Sequence, residues 1–268
     1  MRGCRRVLEA YGWIGIAVLA AQAAHMTTAF GLGGLLLVRA QRMRDLLPAL
    51  LGLQLLLAMG IGYLLLAAAA VIDQFAPERS VAGVAALMGV GYLSTIAGLL
   101  ATLVFTHRVF RPGLASGHAL VWSIGGLMLI GWLAFGVVEG FDPGFRGTWF
   151  FIMLYGIVAA NLWVAWEPLR YWVVARRRLS LGLAEPLVVD RFLLWGLGSL
   201  ARTAMALCGP AADRLIPLLG ADSHLLASAV VLCAASGLGL FASVSYWLPF
   251  FPTRAYIRFV ERRAALGF

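Results

Sequence analysis

One arginine stands where the sequence offers nothing to balance it. Arg202 lies inside a long apolar stretch, ten residues from Phe192 and ten from Ala212, which is about 15 Å of helix on either side. A guanidinium does not give up its proton. Even on a lenient insertion scale, an arginine at mid-bilayer costs at least ~2.5 kcal/mol. The other apolar stretches carry only neutral polar groups near their centres: Gln22 and His25, Gln54, Ser94 and Thr95, Asn161, and Ser236. The nearest carboxylates, Glu139 and Glu167, sit at the ends of stretches. Neutral acceptors would leave the charge without a counterion, whereas a bound carboxylate, phosphate or lipid headgroup would supply one. Arg202, with Gln22, His25, Gln54, Thr95 and Asn161, is therefore the expected ligand-binding set. Two other placements compete with it. Arg202 can snorkel to an interface, or it can cap backbone carbonyls beside Gly196 and Gly198.

A second group lies outside the apolar stretches. Glu167 and Arg170 close one stretch, and Glu185, Asp190 and Arg191 open the next. Glu185 followed by Pro186 suits a helix start, since proline is tolerated in the first turn and a carboxylate favours the positive end of the helix dipole. These residues are expected either to form an ion-pair lattice between two helices or to present a surface to a partner protein.

Other chemistries find no support. The four histidines are His25, His107, His118 and His224, and no HxxxH or HExxH pair occurs. Only His107 and His118 fall at matching depth, near stretch ends, so no metal or haem site is assigned. Cys4, Cys208 and Cys233 are odd in number and widely spaced, which makes neither a disulfide framework nor a metal pair. There is no GxSxG elbow, phosphate loop or carboxylate pair at one depth, so no catalytic residue is assigned and an enzyme is not expected. All 21 basic residues are arginine. Without a lysine amine, a retinal Schiff base and any other lysine-bound cofactor are excluded, and no cofactor is expected.

The elements that must position these residues follow from composition. The chain has 268 residues, 62% hydrophobic and 12% charged, against roughly half and a quarter in soluble domains. That much apolar surface cannot be hidden inside one globule of this size, so it must be solvated by lipid. A cytosolic enzyme, a nucleic-acid-binding module and a secreted disulfide scaffold are excluded. Seven stretches reach the ~20 residues a spanning helix needs: 11–38, 46–72, 81–106, 118–138, 148–174, 192–212 and 225–251. They do not alternate polar with apolar as barrel strands do, so the expected fold is an all-α bundle of seven transmembrane helices. Residues 1–252 form the membrane domain and 253–268 a short basic tail that can lie as a helix on the inner leaflet. The first stretch is read as a span rather than a cleaved leader.

Arginines set the orientation. Arg39, Arg42 and Arg44, then Arg108 and Arg111, then Arg176, Arg177, Arg178 and Arg191, then Arg254, Arg258, Arg262 and Arg263 all fall on one side of seven spans. The intervening connections are each net acidic by one. The positive-inside rule then places the C-terminus in the cytoplasm and the N-terminus outside. Arg2, Arg5 and Arg6 run against this assignment. Met59-Gly60-Ile61-Gly62-Tyr63 and Met88-Gly89-Val90-Gly91-Tyr92 echo one another in adjacent spans, and the many glycines inside spans suit close helix approach. Trp122, Trp132, Trp163 and Trp166 lie deep enough to be expected in the packing of the bundle.

In helix count and orientation the chain resembles bacterial seven-helix membrane sensor modules. The resemblance rests on topology alone and transfers no residue. It implies a bacterial inner-membrane protein that is sensor-like or accessory. Such a protein would bind a small or lipidic anionic ligand among its helices and signal to a separate cytoplasmic or membrane partner. A transporter or channel component with Arg202 in its pathway is the alternative, and a structural subunit of a larger membrane complex is a third. The bilayer is the expected surrounding, and nucleic acid is not an expected partner.

Overall fold

The structure, a computed structural model, describes residues 2–75, 81–142, 147–215 and 224–265. The described residues are helical, with no strand among them. In chain order they form α1 (Arg2–Met43), α2 (Leu46–Gln54), a π-helical segment (Leu55–Gly62) that runs into α3 (Tyr63–Phe75), α4 (Val81–Phe110), α5 (Ala115–Glu139), α6 (Thr148–Ser180), α7 (Pro186–Leu215), α8 (His224–Trp247) and α9 (Arg254–Ala265). Among the described residues, six helical stretches are long and apolar enough to cross a membrane: Ala20–Met43, Leu46–Asp73, Val81–Phe110, Ala115–Glu139, Thr148–Ser180 and Pro186–Ala211. The protein is thus all-helical and has the makings of a multi-pass membrane protein. Large apolar side chains lie on the outside, among them Val137 (85% exposed) and Trp122 (78% exposed). That is costly in water and natural in lipid.

Several helices outrun the apolar stretches that define them. α1 has 42 residues, about twice what a span requires, because nothing in its arginine-rich ends breaks a helix. The boundaries are set by local chemistry instead. Asp45 accepts a hydrogen bond from the Leu47 amide at 3.0 Å and so caps α2. Gly140 and Gly182 end α5 and α6 at φ +66° and +70°, a region that suits glycine. Pro186 opens α7, and the Val188 and Val189 amides return to the Glu185 carbonyl.

The chain divides into two compact units, residues 28–168 and residues 1–27 with 169–268. In the first, helices meet at glycines. A Cβ on Gly98 would fall 2.7 Å from the Ala58 Cβ, and one on Gly131 2.5 Å from the Met153 amide. The two glycine echoes meet as well, since a Cβ on Gly62 would lie 2.9 Å from the Gly91 carbonyl. They are not equivalent, however: the first lies largely in the π-helical segment and the second in regular α4. The widened turn frees the Leu57 carbonyl, which accepts from Ser94 Oγ at 2.8 Å. At one end Tyr92, Phe135, Phe141 and Phe150 pack edge to face. Trp163 is buried and Trp132 donates to the Gly89 carbonyl at 2.9 Å. Trp122 and Trp166 are 78% and 62% exposed, which corrects the expectation that all four deep tryptophans pack the interior. Indole rings are comfortable against lipid, so depth along the chain does not imply burial.

In the second unit α7 and α8 run side by side. Gly198 lies against Ser245, and Ser199 and Tyr246 hydroxyls bond at 2.8 Å. The N-terminal part of α1 meets α8 through Gln22 and His25. α9 packs on the start of α7.

Candidate functional site

The site in the second unit is built by α1, α7 and α8. Along α8, Ser236, Gly239 and Ser243 fall at helical spacing on one face, which His25 and Gln22 meet from α1. Gln22 donates from Nε2 to Ser236 Oγ at 3.1 Å. His25 Nδ1 lies 3.1 Å from the Gly239 carbonyl and 2.7 Å from Ser243 Oγ. A carbonyl can only accept, so Nδ1 carries the proton, and in the neutral ring Nε2 holds the lone pair. Ser243 in turn donates to the same carbonyl at 2.9 Å. Gly239 leaves room for this approach: a Cβ there would lie 3.6 Å from His25 Nδ1 and 3.4 Å from Met205 Sδ.

Arg202 joins this layer from α7. The contacts of Gly198 with Ser245 and of Met205 with Gly239 fix the antiparallel register of α7 against α8. Arg202 therefore sits level with the stretch between Gly239 and Ser243, and its charge acts on the His25 ring. The residue is 6% exposed, so it does not snorkel to lipid. Among the described residues, Nη1 is buried with no hydrogen-bond partner. No bond from Arg202 to a backbone carbonyl is found among them either. Thr203, beside it, is occupied with the Ser199 carbonyl at 3.0 Å. Ser245 Oγ is also buried and unpartnered among the described residues.

The expected ligand set is divided between the two units. Arg202, Gln22 and His25 come together in one unit, whereas Gln54, Thr95 and Asn161 belong to the other. Thr95 Oγ1 is spent on the Gly91 carbonyl at 2.9 Å, and Asn161 Nδ2 on the Ile157 carbonyl at 2.9 Å. Gln54 is 1% exposed, with neither amide atom partnered among the described residues.

The expected partner surface is corrected at Glu167. That residue is 0% exposed. Its Oε1 accepts from Arg111 Nε at 2.5 Å and from Trp163 Nε1 at 3.1 Å. A carboxylate facing inward from α6 needs such donors, so it cannot be part of an accessible face. Arg170, Glu185 and Arg191 are exposed. Asp190 is half-buried, accepting a hydrogen bond from the Tyr256 hydroxyl, with Arg263 Nη1 at 3.9 Å. Burial and the Asp190 carboxylate push the Tyr256 hydroxyl well above the usual tyrosine range. Tyr256 carried no signal in the sequence beyond its place in the basic tail. Ser243 was missed; its helical spacing from Ser236 and Gly239 was the signal that could have found it.

His107 and His118 do meet. Their Nε2 atoms lie 3.3 Å apart and their ring centroids 4.1 Å apart at 63°. Two imidazoles sharing a tetrahedral ion through Nε2 would hold their centroids about 5 Å apart. The rings are in edge-to-face contact, and one Nε2–H donates to the other Nε2. Among the described residues, no three His, Cys, Asp or Glu side chains gather as a metal would require. The chain matches no protein-family model, no curated protein and no solved structure.

Proposed function

We propose that the chain is a seven-span protein of the bacterial inner membrane, sensor-like or accessory, that binds an anionic ligand, small or lipidic, at Arg202. The membrane domain covers residues 1–252, with α8 as the seventh span and residues 253–268 as a cytoplasmic tail. The arginine-bearing connections support an outer N-terminus and a cytoplasmic C-terminus.

A single observation carries the reading. A permanently charged side chain is buried at mid-helix beside His25, and its Nη1 has no partner among the described residues. An interior guanidinium without a counterion is unstable by several kcal/mol. A carboxylate or phosphate accepting from it would remove that cost. Ligand binding would be reported to a separate partner through the exposed Arg170, Glu185 and Arg191 around the α6–α7 connection.

The test is thermal unfolding of the purified protein in neutral detergent, titrated with phosphatidylglycerol, a fatty acid or inorganic phosphate. At ~100-fold excess over Kd a bound anion stabilises by about 2.7 kcal/mol. One or more of these should raise the melting temperature of the native protein and leave Arg202→Gln unmoved. Equal responses in both proteins, or none, would reject the reading. Anion flux in liposomes that disappears in Arg202→Gln would turn the site into a transport pathway.

A further inference from the structure

α9 is a two-faced helix whose inner face is already occupied. Tyr256, Val260, Arg263 and Ala264 recur at helical spacing and face inward. Val260 is 4% exposed and lines one crevice with Trp172, Leu179, Pro186 and Val189. Tyr256 and Arg263 hold Asp190. This grip fixes the rotation of α9 about its own axis and takes the nearest carboxylate out of the outward field.

What remains outside is cationic and apolar together. Arg254, Arg258 and Arg262 are exposed on α9, and Arg176, Arg177 and Arg178 are exposed at the end of α6. Only Glu185 and Glu261 oppose them as exposed carboxylates among the described residues of α9 and the α6–α7 connection. Phe259 lies between Arg258 and Arg262 along the helix and is 60% exposed; Leu181 and Leu183, in the α6–α7 turn, are 71% and 73% exposed. Just six residues separate α8 from α9. Trp195 stacks with Phe250 and Trp247 with Phe251 at that junction, the ring pattern typical of interfacial depth. A short tether from a spanning helix, exposed rings and an arginine field together describe a helix lying in a headgroup layer.

We infer that the outer face of α9, with the arginine run ending α6, is a docking surface for an anionic lipid leaflet. Phe259 and Ala255 enter the acyl boundary, and Arg258 and Arg262 meet lipid phosphates. This surface is separate from the Arg202 site and does not depend on it.

The experiment uses the full chain with its three cysteines replaced by alanine and an environment-sensitive label at Ala255→Cys. It is reconstituted in vesicles of neutral phosphatidylcholine, or of the same lipid with phosphatidylglycerol. The label should be immersed in the anionic vesicles and exposed in the neutral ones. Arg258→Gln and Arg262→Gln should each lower the ratio of immersed to exposed label about fivefold. Glu261→Gln should raise it, and salt should reverse it. A label exposed in both lipids would overturn the proposal. So would one equally immersed in both and indifferent to the arginines, or one shielded only when an acidic soluble protein is added.

Discussion

Glu167 and Arg202 are both charged, both buried and both carried on long apolar helices, yet the chain treats them in opposite ways. Glu167 in α6 receives Arg111 Nε at 2.5 Å and an indole N–H at 3.1 Å. Arg202 in α7 acts on His25, and the nearby Ser199, Thr203 and Ser243 hydroxyls bond to Tyr246, to backbone or to His25. The first charge has a counterion within the fold, although its Oε2 has no hydrogen-bond partner among the described residues. The second has neither a carboxylate nor a partner for Nη1 among them, which is what supports the proposed anion site. On that reading burial alone does not mark a functional charge; burial without a counterion does.

Substitution should separate the two by sign. Glu167→Ala strands Arg111 and the Trp163 indole. We expect it to destabilise by about 3 kcal/mol, the low end for a buried pair because Arg111 reaches solvent. Denaturation of the purified protein in detergent measures it, and Arg111→Ala in the same background should add little. Arg202→Leu should act the other way and stabilise the ligand-free protein by about 2 kcal/mol, since it removes an uncompensated charge. The same variant should lose every response to anions. If Arg202→Leu destabilises as much as Glu167→Ala, the contrast fails and Arg202 has an internal partner.

Packing offers a sharper control on the two units. A Cβ on Gly62 would collide with Thr95 Oγ1 and come within 2.9 Å of two backbone carbonyls, whereas one on Gly237 meets nothing within 4 Å. Gly62→Ala should therefore cost about 2 kcal/mol, and Gly237→Ala should fall within about 0.5 kcal/mol of neutral. Unfolding midpoints of the two variants compare them directly.

The smallest effect concerns the tail. Burial, and then the bond to the Asp190 carboxylate, oppose ionisation of Tyr256, so its folded pKa lies above the unfolded value near 10. The contribution of this bond is complete below about pH 10 and is lost as pH rises toward the folded value. Tyr256→Phe should cost about 1 kcal/mol at neutral pH and should remove that alkaline decline. Unfolding midpoints across the alkaline range check it.

Part of the fold and three members of the site, Arg202, Gln22 and His25, are legible in the amino-acid sequence. Glu185 and Pro186 mark the start of α7 because their preferences are local. The long apolar stretches mark helices because lipid leaves unpaired backbone groups no other partner. Arg202 declares itself because an ionised group in such a stretch is expensive wherever its partners lie. Hydrogen-bond partners within the polar layer are not legible, since depth along a helix says nothing about which face a residue presents or which neighbour it meets. Glu167 looks like a surface residue because the sequence gives no sign that Arg111, 56 positions away, folds back onto it.

Composition and the length of the hydrophobic runs are enough to establish a lipid-solvated helical protein with a charge placed at a cost in one helix. Both are properties of the chain alone, independent of how its helices meet. Which buried charge is matched and which is not emerges only from the packing. That depends on rotation and register between helices far apart in sequence, fixed here by the approaches at Gly62, Gly198 and Gly239.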